Sequence, residues 1–187
     1  SYNSCVKVPM NKKEFLNILM EHKKLGFQNQ IDYNKFYLYS IVTHSTAIEG
    51  STMTEIDNQL LFDEGLTAKG KSIIEQNMNL DLKASYERSM ELAKAHTPIS
   101  IGVLKHLASL VMRRTGGEVN VFSGSFDSSR GDLRLVNVTA GAGGKTYMNY
   151  LKVPQKLEEF CKEINERRKE LLESPDIYEQ YKLSFYA

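Results

Sequence analysis

Signals that start and stop α-helices recur along almost the whole chain, and they constrain its fold more than any other feature. Capping boxes pair Asn11 with Glu14 and Ser72 with Glu75, so that a polar cap and an acid three positions later satisfy each other's backbone N–H groups. The pattern predicts a mainly α-helical fold. Three predicted helices end at glycines: one begins after Asn11 and ends at Gly26, one spans about 31–49 before Gly50, and one begins after Thr54 and ends at Gly65. Four more follow, of which the first two end near Ala95 and near Arg114 and the last two begin at Val153 and at Ser174.

One segment differs in composition from the predicted helices. Between residues 118 and 150, Gly, Ser, Asp and Asn become frequent, and LRLVNV at 133–138 alternates as a strand does. The glycine-rich GAGGK at 141–145 separates it from TYMNY, which predicts a β-hairpin with a loose turn. The same glycines end like a phosphate-binding loop, but the position that such a loop reserves for its first glycine is Thr139. A plain hairpin turn is therefore the favoured interpretation.

Length and charge limit the partners. A chain of 187 residues suits one domain with a short extension, and 24 basic against 23 acidic residues leave a net charge of +1. That balance gives no bulk attraction to nucleic acid or to an anionic membrane. No run of about 18 apolar residues exists, and Cys5 and Cys161 form no framework spacing, so we expect a cytoplasmic protein with no membrane partner.

The usual catalytic patterns are missing from the sequence. None of the four histidines stands in an HExxH or comparable metal-ligand spacing, and no GxSxG elbow surrounds a serine. The basic pairs at 113–114 and 167–168 each fall at a predicted helix end, where cations favour the negative end of the helix dipole. Composition and spacing alone thus assign no catalytic residue and no metal ligand.

The segment STAIEG carries the clearest functional signal. Ser45 and Glu49 are four residues apart, so on a helix they share a face and can address one site. Glu49 also lies in the last predicted turn, before Gly50, where the helix dipole disfavours a carboxylate. Two interpretations stay open: a solvated glutamate before a capping glycine, or a glutamate held for an arginine or a ligand.

At these residues the sequence resembles the Fic (Fido) family, whose members transfer AMP from ATP to protein hydroxyls. The similarity starts with STAIEGSTMT, DEGL and GKSIIEQNMNLDLKA, and it continues in order through RGDLRLVNV, KVPQKLEEFCKEIN and YEQYKLSFYA. It covers roughly 33–187. Ser45, Glu49 and Gly50 satisfy [ST]xxxE[GN], the motif of the class with an amino-terminal inhibitory helix.

The resemblance implies a tail and helix over 1–30 and a Fic-like helical domain with one β-hairpin flap over 31–187. Glu49 would be the inhibitory glutamate, which engages an active-site arginine and keeps the γ-phosphate of ATP out of its reactive position, and Ser45 would face the same site. ATP and Mg²⁺ are the implied cofactors. The implied flap, which pairs with a target protein through main-chain hydrogen bonds, consists of Val136, Asn137, Val138, Thr139, Ala140, Gly141, Gly143 and Gly144.

The family's catalytic signature, HxFx[DE]GNGRxxR, is absent from these 187 residues. We therefore expect the sequence to stop short of the catalytic loop, an expectation that the apolar face of YEQYKLSFYA, still running at Ala187, also favours. In some relatives the same glutamate is thought to help remove AMP, so the direction of transfer stays open. A homo-oligomer is compatible with the sequence.

Two alternatives remain. The chain could be a non-enzymatic helical binding module, with a helix-turn-helix over Thr54–Ala84 that reads DNA. Acidic residues on both of those helices, including Asp57 and Glu75, would repel phosphates and argue against it. The chain could also be a regulatory fragment without activity of its own.

Overall fold

The structure is a computed structural model that describes residues 7–26 and 32–187. The described residues form seven α-helices and one two-stranded antiparallel sheet, which confirms the mainly α class with a single hairpin. No helix among them is long and apolar enough to cross a membrane. In chain order the elements are α1 (Lys12–Leu25), α2 (Tyr33–Ile48), α3 (Glu55–Glu64), α4 (Ile73–Lys94), α5 (Ile101–Val111), β1 (Glu118–Val121), β2 (Gly124–Asp127), α6 (Val153–Glu173) and α7 (Ile177–Tyr186), with short 3₁₀ turns at Ser128–Arg130 and Tyr150–Lys152.

The capping signals act as the sequence predicts. The box of Asn11 begins α1 and the box of Ser72 begins α4, with both reciprocal hydrogen bonds formed in each. Thr54 begins α3 through a further box with Asp57. The predicted start of the second helix at residue 31 and the predicted boundary between residues 30 and 31 lie outside the described residues, as does Cys5.

The position of the hairpin differs from the prediction. The strands are β1 and β2, with Glu118 opposite Asp127 and Val121 opposite Gly124. The strand predicted over 133–138 is wrong, because its backbone makes no ladder and the segment is instead held by side chains. Burial does not follow the alternation of LRLVNV, because residues 133–136 are all half-buried and residues 137–138 are exposed.

The chain divides into two compact units. One is Asn34–Lys156, and the other joins Leu157–Ala187 to the described residues before Asn34. In the second unit, the Phe15 ring of α1 stacks on Tyr181 of α7 at 4.6 Å between centroids and meets Tyr178 at 5.8 Å. The Tyr178 hydroxyl donates to the Met10 carbonyl at 3.0 Å, so aromatic packing and one hydrogen bond join α1 to α7.

Helix α4 organises the unit Asn34–Lys156 through buried polar side chains. Its four buried residues are Gln76, Asn79, Asp81 and Ser85. The Asp81 carboxylate accepts from the backbone N–H of Arg114 and pairs with its guanidinium, both at 3.0 Å. Ser85 donates to the Leu107 carbonyl of α5 at 3.1 Å, and Gln76 accepts from the N–H of Ala68 at 3.1 Å. Each buried polar group thus fixes a different neighbouring segment.

Asn79 is the most connected of these side chains, and it is fully buried. Its oxygen accepts from the Thr46 hydroxyl of α2 at 2.8 Å and from the Asn58 amide of α3 at 2.9 Å. Its amide donates to the Ser51 hydroxyl at 3.1 Å and to the Glu75 carbonyl at 2.8 Å. One side chain therefore joins α2, α3 and α4 with its hydrogen-bonding capacity fully used.

The 3₁₀ turn after the hairpin docks closely on α5 through glycines. Gly131 has φ +72°, and a Cβ there would lie 1.9 Å from the Lys105 carbonyl oxygen. A Cβ at Gly116 would lie 2.6 Å from the Ser128 hydroxyl. Only glycine permits these two backbone approaches, so the 3₁₀ turn that follows β2 packs directly against the helix.

Replacing Asn79 by Ala should destabilise the protein strongly, because the buried Thr46 hydroxyl of α2 and Asn58 amide of α3 lose their hydrogen-bond partner. We expect the free energy of unfolding to fall by about 3 kcal/mol. Urea denaturation followed by circular dichroism measures this change. Asn34→Ala, at an exposed site of α2, is the control and should shift the free energy by no more than about 0.5 kcal/mol. Equal effects of the two substitutions would contradict the role of Asn79.

Candidate functional site

Glu49 lies in a tight turn immediately after α2. The helix ends at Ile48, and the N–H groups of Glu49 and Ser51 both bond the Thr46 carbonyl at 3.0 Å. Gly50 has φ +94°, a conformation that side chains with a Cβ rarely adopt. The Glu49 side chain is exposed and makes no hydrogen bond or ion pair with a described residue. The turn thus presents a carboxylate with no partner from this part of the chain.

Ser45 lies one helical turn earlier and points to a different neighbour. Its hydroxyl is half-buried and lies 3.5 Å from the Tyr86 hydroxyl of α4. Because α2 ends before Glu49, the two side chains predicted to share a helical face differ in setting: one contacts α4 and the other faces solvent. Among the described hydrogen bonds, none joins the side chains of Ser45 and Glu49.

The turn that carries Glu49 is fixed on both sides. Before it, Thr46 bonds Asn79, and after it Ser51 bonds the same side chain. Next in the chain, Thr52 donates to the Glu75 carboxylate through its N–H at 2.7 Å and through its hydroxyl at 2.8 Å. The turn that carries the exposed Glu49 carboxylate is therefore held to α4 by hydrogen bonds before and after it.

Glu75 has the most perturbed acidity among the groups around this turn. The backbone N–H of Thr52, followed by the Thr52 hydroxyl and the Ser72 N–H, lowers the pKa of the Glu75 carboxyl from 4.5 to about 2. All of these donors stabilise the ionised form. The residue that completes the capping box of α4 therefore also anchors the segment after Glu49.

Glu75 makes the stability of this region depend on pH. Since its pKa is lower in the folded state, its contribution is fully present above pH 4.5 and is lost as pH falls towards about 2. We expect the difference in unfolding free energy between the wild type and Glu75→Gln to shrink over that range, as measured by urea denaturation at successive pH values. Glu64→Gln, at an exposed site of α3, is the control. A difference that stays constant with pH would contradict this linkage.

The predicted flap residues form a short closed loop. Thr139 and Thr146 make an isolated antiparallel bridge, flanked by Ala140 N–H to the Lys145 carbonyl at 3.0 Å and Tyr147 N–H to the Val138 carbonyl at 3.1 Å. Gly141 and Gly143 have φ of +66° and +73°. A Cβ at Gly144 would lie 1.4 Å from the Ala140 carbonyl oxygen. Glycines are therefore required for so tight a loop.

One edge of this loop is open. Since Val138 and Ala140 direct their bonding groups to the opposite arm, antiparallel geometry turns the N–H and C=O of Thr139 outward. Residues 137–149 are exposed throughout. An unpaired, exposed main-chain edge is a template for an added strand, although only a few residues long.

Two side chains hold the base of the loop: Arg134, which the sequence prediction did not select, and Asn137, which it placed in the flap. The Arg134 guanidinium donates to the Val136 carbonyl at 2.7 Å and also to the Met148 carbonyl, so it links both arms. The Asn137 side chain accepts from the Tyr150 N–H at 3.0 Å. A cation beside a glycine-rich segment is the signal that could have identified Arg134, because loop carbonyls without ladder partners need donors.

The loop does not have the form of a phosphate-binding loop. Such a loop needs a helix that begins at its lysine, whereas Lys145 lies on the arm that pairs with Ala140, and the next helical turn starts at Tyr150. The structure thus agrees with the favoured hairpin-turn interpretation of residues 141–145.

Arg134 should control the order of the loop. In Arg134→Ala, we expect the amides of Ala140 and Tyr147 to exchange with deuterium at least about tenfold faster, because the two arms lose their shared donor. Hydrogen exchange with NMR or mass spectrometry measures the rates. Lys145→Ala, at an exposed site on the same loop, is the control and should leave the Tyr147 rate unchanged. Unchanged exchange in Arg134→Ala would contradict its role.

Glu49 and the loop both belong to the unit Asn34–Lys156, but no described hydrogen bond links them. A cavity beside α1 and one beside the hairpin are not lined by Glu49 or residues 136–144. Within 7–26 and 32–187, no group of three His, Cys, Asp or Glu side chains is placed to hold a metal ion. The described His, Cys, Asp and Glu side chains therefore do not by themselves provide a three-ligand site for Mg²⁺.

Comparison with known proteins identifies no relative: no family model matches the chain, and no curated protein matches it significantly.

Proposed function

We propose that this chain supplies the regulatory and target-binding parts of a protein adenylyltransferase of the Fic type, which transfers AMP from ATP to a hydroxyl of a target protein. In this proposal Glu49 lowers the activity, and the loop over Val136–Gly144 holds the target. The resemblance of STAIEG and the segments after it motivates the proposal.

The observation that carries it is the setting of Glu49. Its carboxylate follows directly after the C-terminus of α2, which is the negative end of the helix dipole, yet the turn that carries it is anchored by buried hydrogen bonds of the Thr46 and Ser51 side chains. The Glu49 carboxylate is exposed, lies on an anchored turn and has no partner among the described residues, so it is suited to pair with a cationic side chain from outside them. Pairing with an arginine of the catalytic centre would use that arrangement.

The open edge at Thr139 supports the target-binding role. Main-chain pairing orients a peptide without demanding a particular sequence, so the edge could present hydroxyls on different targets. Arg134 donates to carbonyls of both arms and so favours the arrangement in which that edge is open. Pre-organisation of this kind lowers the entropic cost of binding an extended segment.

ATP and Mg²⁺ are the cofactors of the proposed transfer. Among the described residues, no three His, Cys, Asp or Glu side chains are placed to hold a metal ion. In this proposal the groups that bind ATP and Mg²⁺, together with the general base, belong to the catalytic signature, which these 187 residues do not contain.

The helix-turn-helix alternative gains no supporting observation. Helices α3 and α4 are separated by residues 65–72, which is longer than the turn of about 3–4 residues in that motif. The capping acids Asp57 and Glu75 lie at the starts of the two helices.

The inhibitory role of Glu49 is testable in the full-length natural protein that contains these residues. We expect Glu49→Gly to increase self-labelling from ATP carrying a labelled α-phosphate by about tenfold or more, because the competing carboxylate is removed. The readout is label retained on the protein after denaturing electrophoresis. Equal labelling of wild type and Glu49→Gly would contradict the inhibitory role.

Glu64→Gly is a matched control, since Glu64 is also an exposed acid immediately before a helix-ending glycine. It should leave labelling at the wild-type level. Absence of label on any protein in all three samples, with added candidate targets present, would contradict AMP transfer itself.

A further inference from the structure

Phe122 is the most exposed large apolar side chain among the described residues. It lies in the two-residue turn between β1 and β2, and its relative exposure is 110%. An isolated leucine or valine on a surface is ordinary, but a whole phenylalanine ring in water forgoes a large burial energy. Because it lies at the tip of the hairpin, its ring projects into solvent.

The tip is held in place. The Ser123 hydroxyl donates to the Leu135 carbonyl at 2.6 Å, and Gly124 adopts φ +133°, where an added Cβ would lie 3.2 Å from the Leu135 side chain. Gly131 fixes the far end of the hairpin on α5. Phe122 is thus presented by a rigid support, which is the property of an interface anchor.

The other compact unit contains an open apolar groove of about 710 Å³ beside α1. Its apolar lining consists of Leu16, Leu19 and Met20 from α1 and Ile177 from α7, and its polar lining of Asn17 and three lysines, of which Lys12 and Lys13 precede the apolar residues along α1 and Lys23 follows them. Lys12 pairs with Asp176 at 3.7 Å, whereas Lys13 and Lys23 make no ion pair with a described residue. The groove therefore suits an apolar group carried beside a negative charge.

The hairpin carries such a charge. Glu118 faces Asp127 across the base of the hairpin, and Glu118 is exposed without a described partner. From Phe122 to Glu118 the strand spans about 13 Å, and from Lys13 to Lys23 the helix spans about 15 Å, so ring and carboxylate can reach the apolar lining and one of these lysines together. The two strands of the hairpin carry acidic and no basic side chains, which disfavours binding of the hairpin to an anionic membrane.

We propose that the hairpin tip of one copy of this chain docks into the groove beside α1 of a second copy, with Phe122 on the apolar lining and Glu118 beside Lys13 or Lys23. This contact joins different surfaces of the two copies. It is small, so the association is weak and depends on concentration. The inference is independent of AMP transfer.

Sedimentation velocity of the 187-residue chain over rising concentration tests the proposal. We expect the average mass to rise above 21.3 kDa for the wild type. Phe122→Ser and Met20→Glu should each weaken association at least about tenfold. Leu151→Ser, which removes another exposed apolar side chain, is the control and should associate as the wild type does. A mass that stays at 21.3 kDa at all concentrations would overturn the proposal, as would unchanged association of Phe122→Ser.

Mixing variants makes the test specific to this pair of surfaces. Phe122→Ser keeps an intact groove and Met20→Glu keeps an intact tip, so an equal mixture should associate although neither variant does alone. Likewise, Lys13→Glu with Lys23→Glu in one chain should associate with Glu118→Lys in the other. Failure of both mixtures, with each variant folded by circular dichroism, would overturn the assignment.

Discussion

The unit Asn34–Lys156 depends on the buried polar face of α4. Most helices pack through apolar side chains, whereas the buried residues of α4 are Gln76, Asn79, Asp81 and Ser85. Apolar surfaces can slide past each other at modest cost, but a buried hydrogen-bond network is satisfied in one register only. The helices around α4 are therefore fixed in position along its length as well as in distance from it.

This arrangement explains how an exposed residue can have a defined position. The turn after α2 has a solvent-facing carboxylate, yet the Thr46 and Ser51 side chains on either side of it bond Asn79, and the next N–H, that of Thr52, bonds Glu75. Any movement of Glu49 larger than side-chain rotation would have to break buried hydrogen bonds. We infer that regulation through this residue would act by pairing or releasing its carboxylate rather than by sliding the helix.

The sequence predicted the helices because their signals are local. The boxes at Asn11 and Ser72 act within four residues, and both formed as expected. The strand at 133–138 was wrong because a ladder needs a partner strand, which a local alternation does not specify. Asn79 was missed for the same reason: its partners lie on three other segments. The helix ends before Glu49, so Glu49 and Ser45 do not share the helical face that their spacing predicted, and the functional roles of these residues and of the loop glycines stay predictions.

The close contact of Gly131 with the Lys105 carbonyl has a mechanical consequence. Because backbone packs on backbone at this point, no side chain can rotate to make room for a Cβ at residue 131. A substitution of Gly131 would therefore have to displace either the turn after β2 or the backbone of α5 at Lys105. The position of this turn on the helix depends on the absence of a single methyl group.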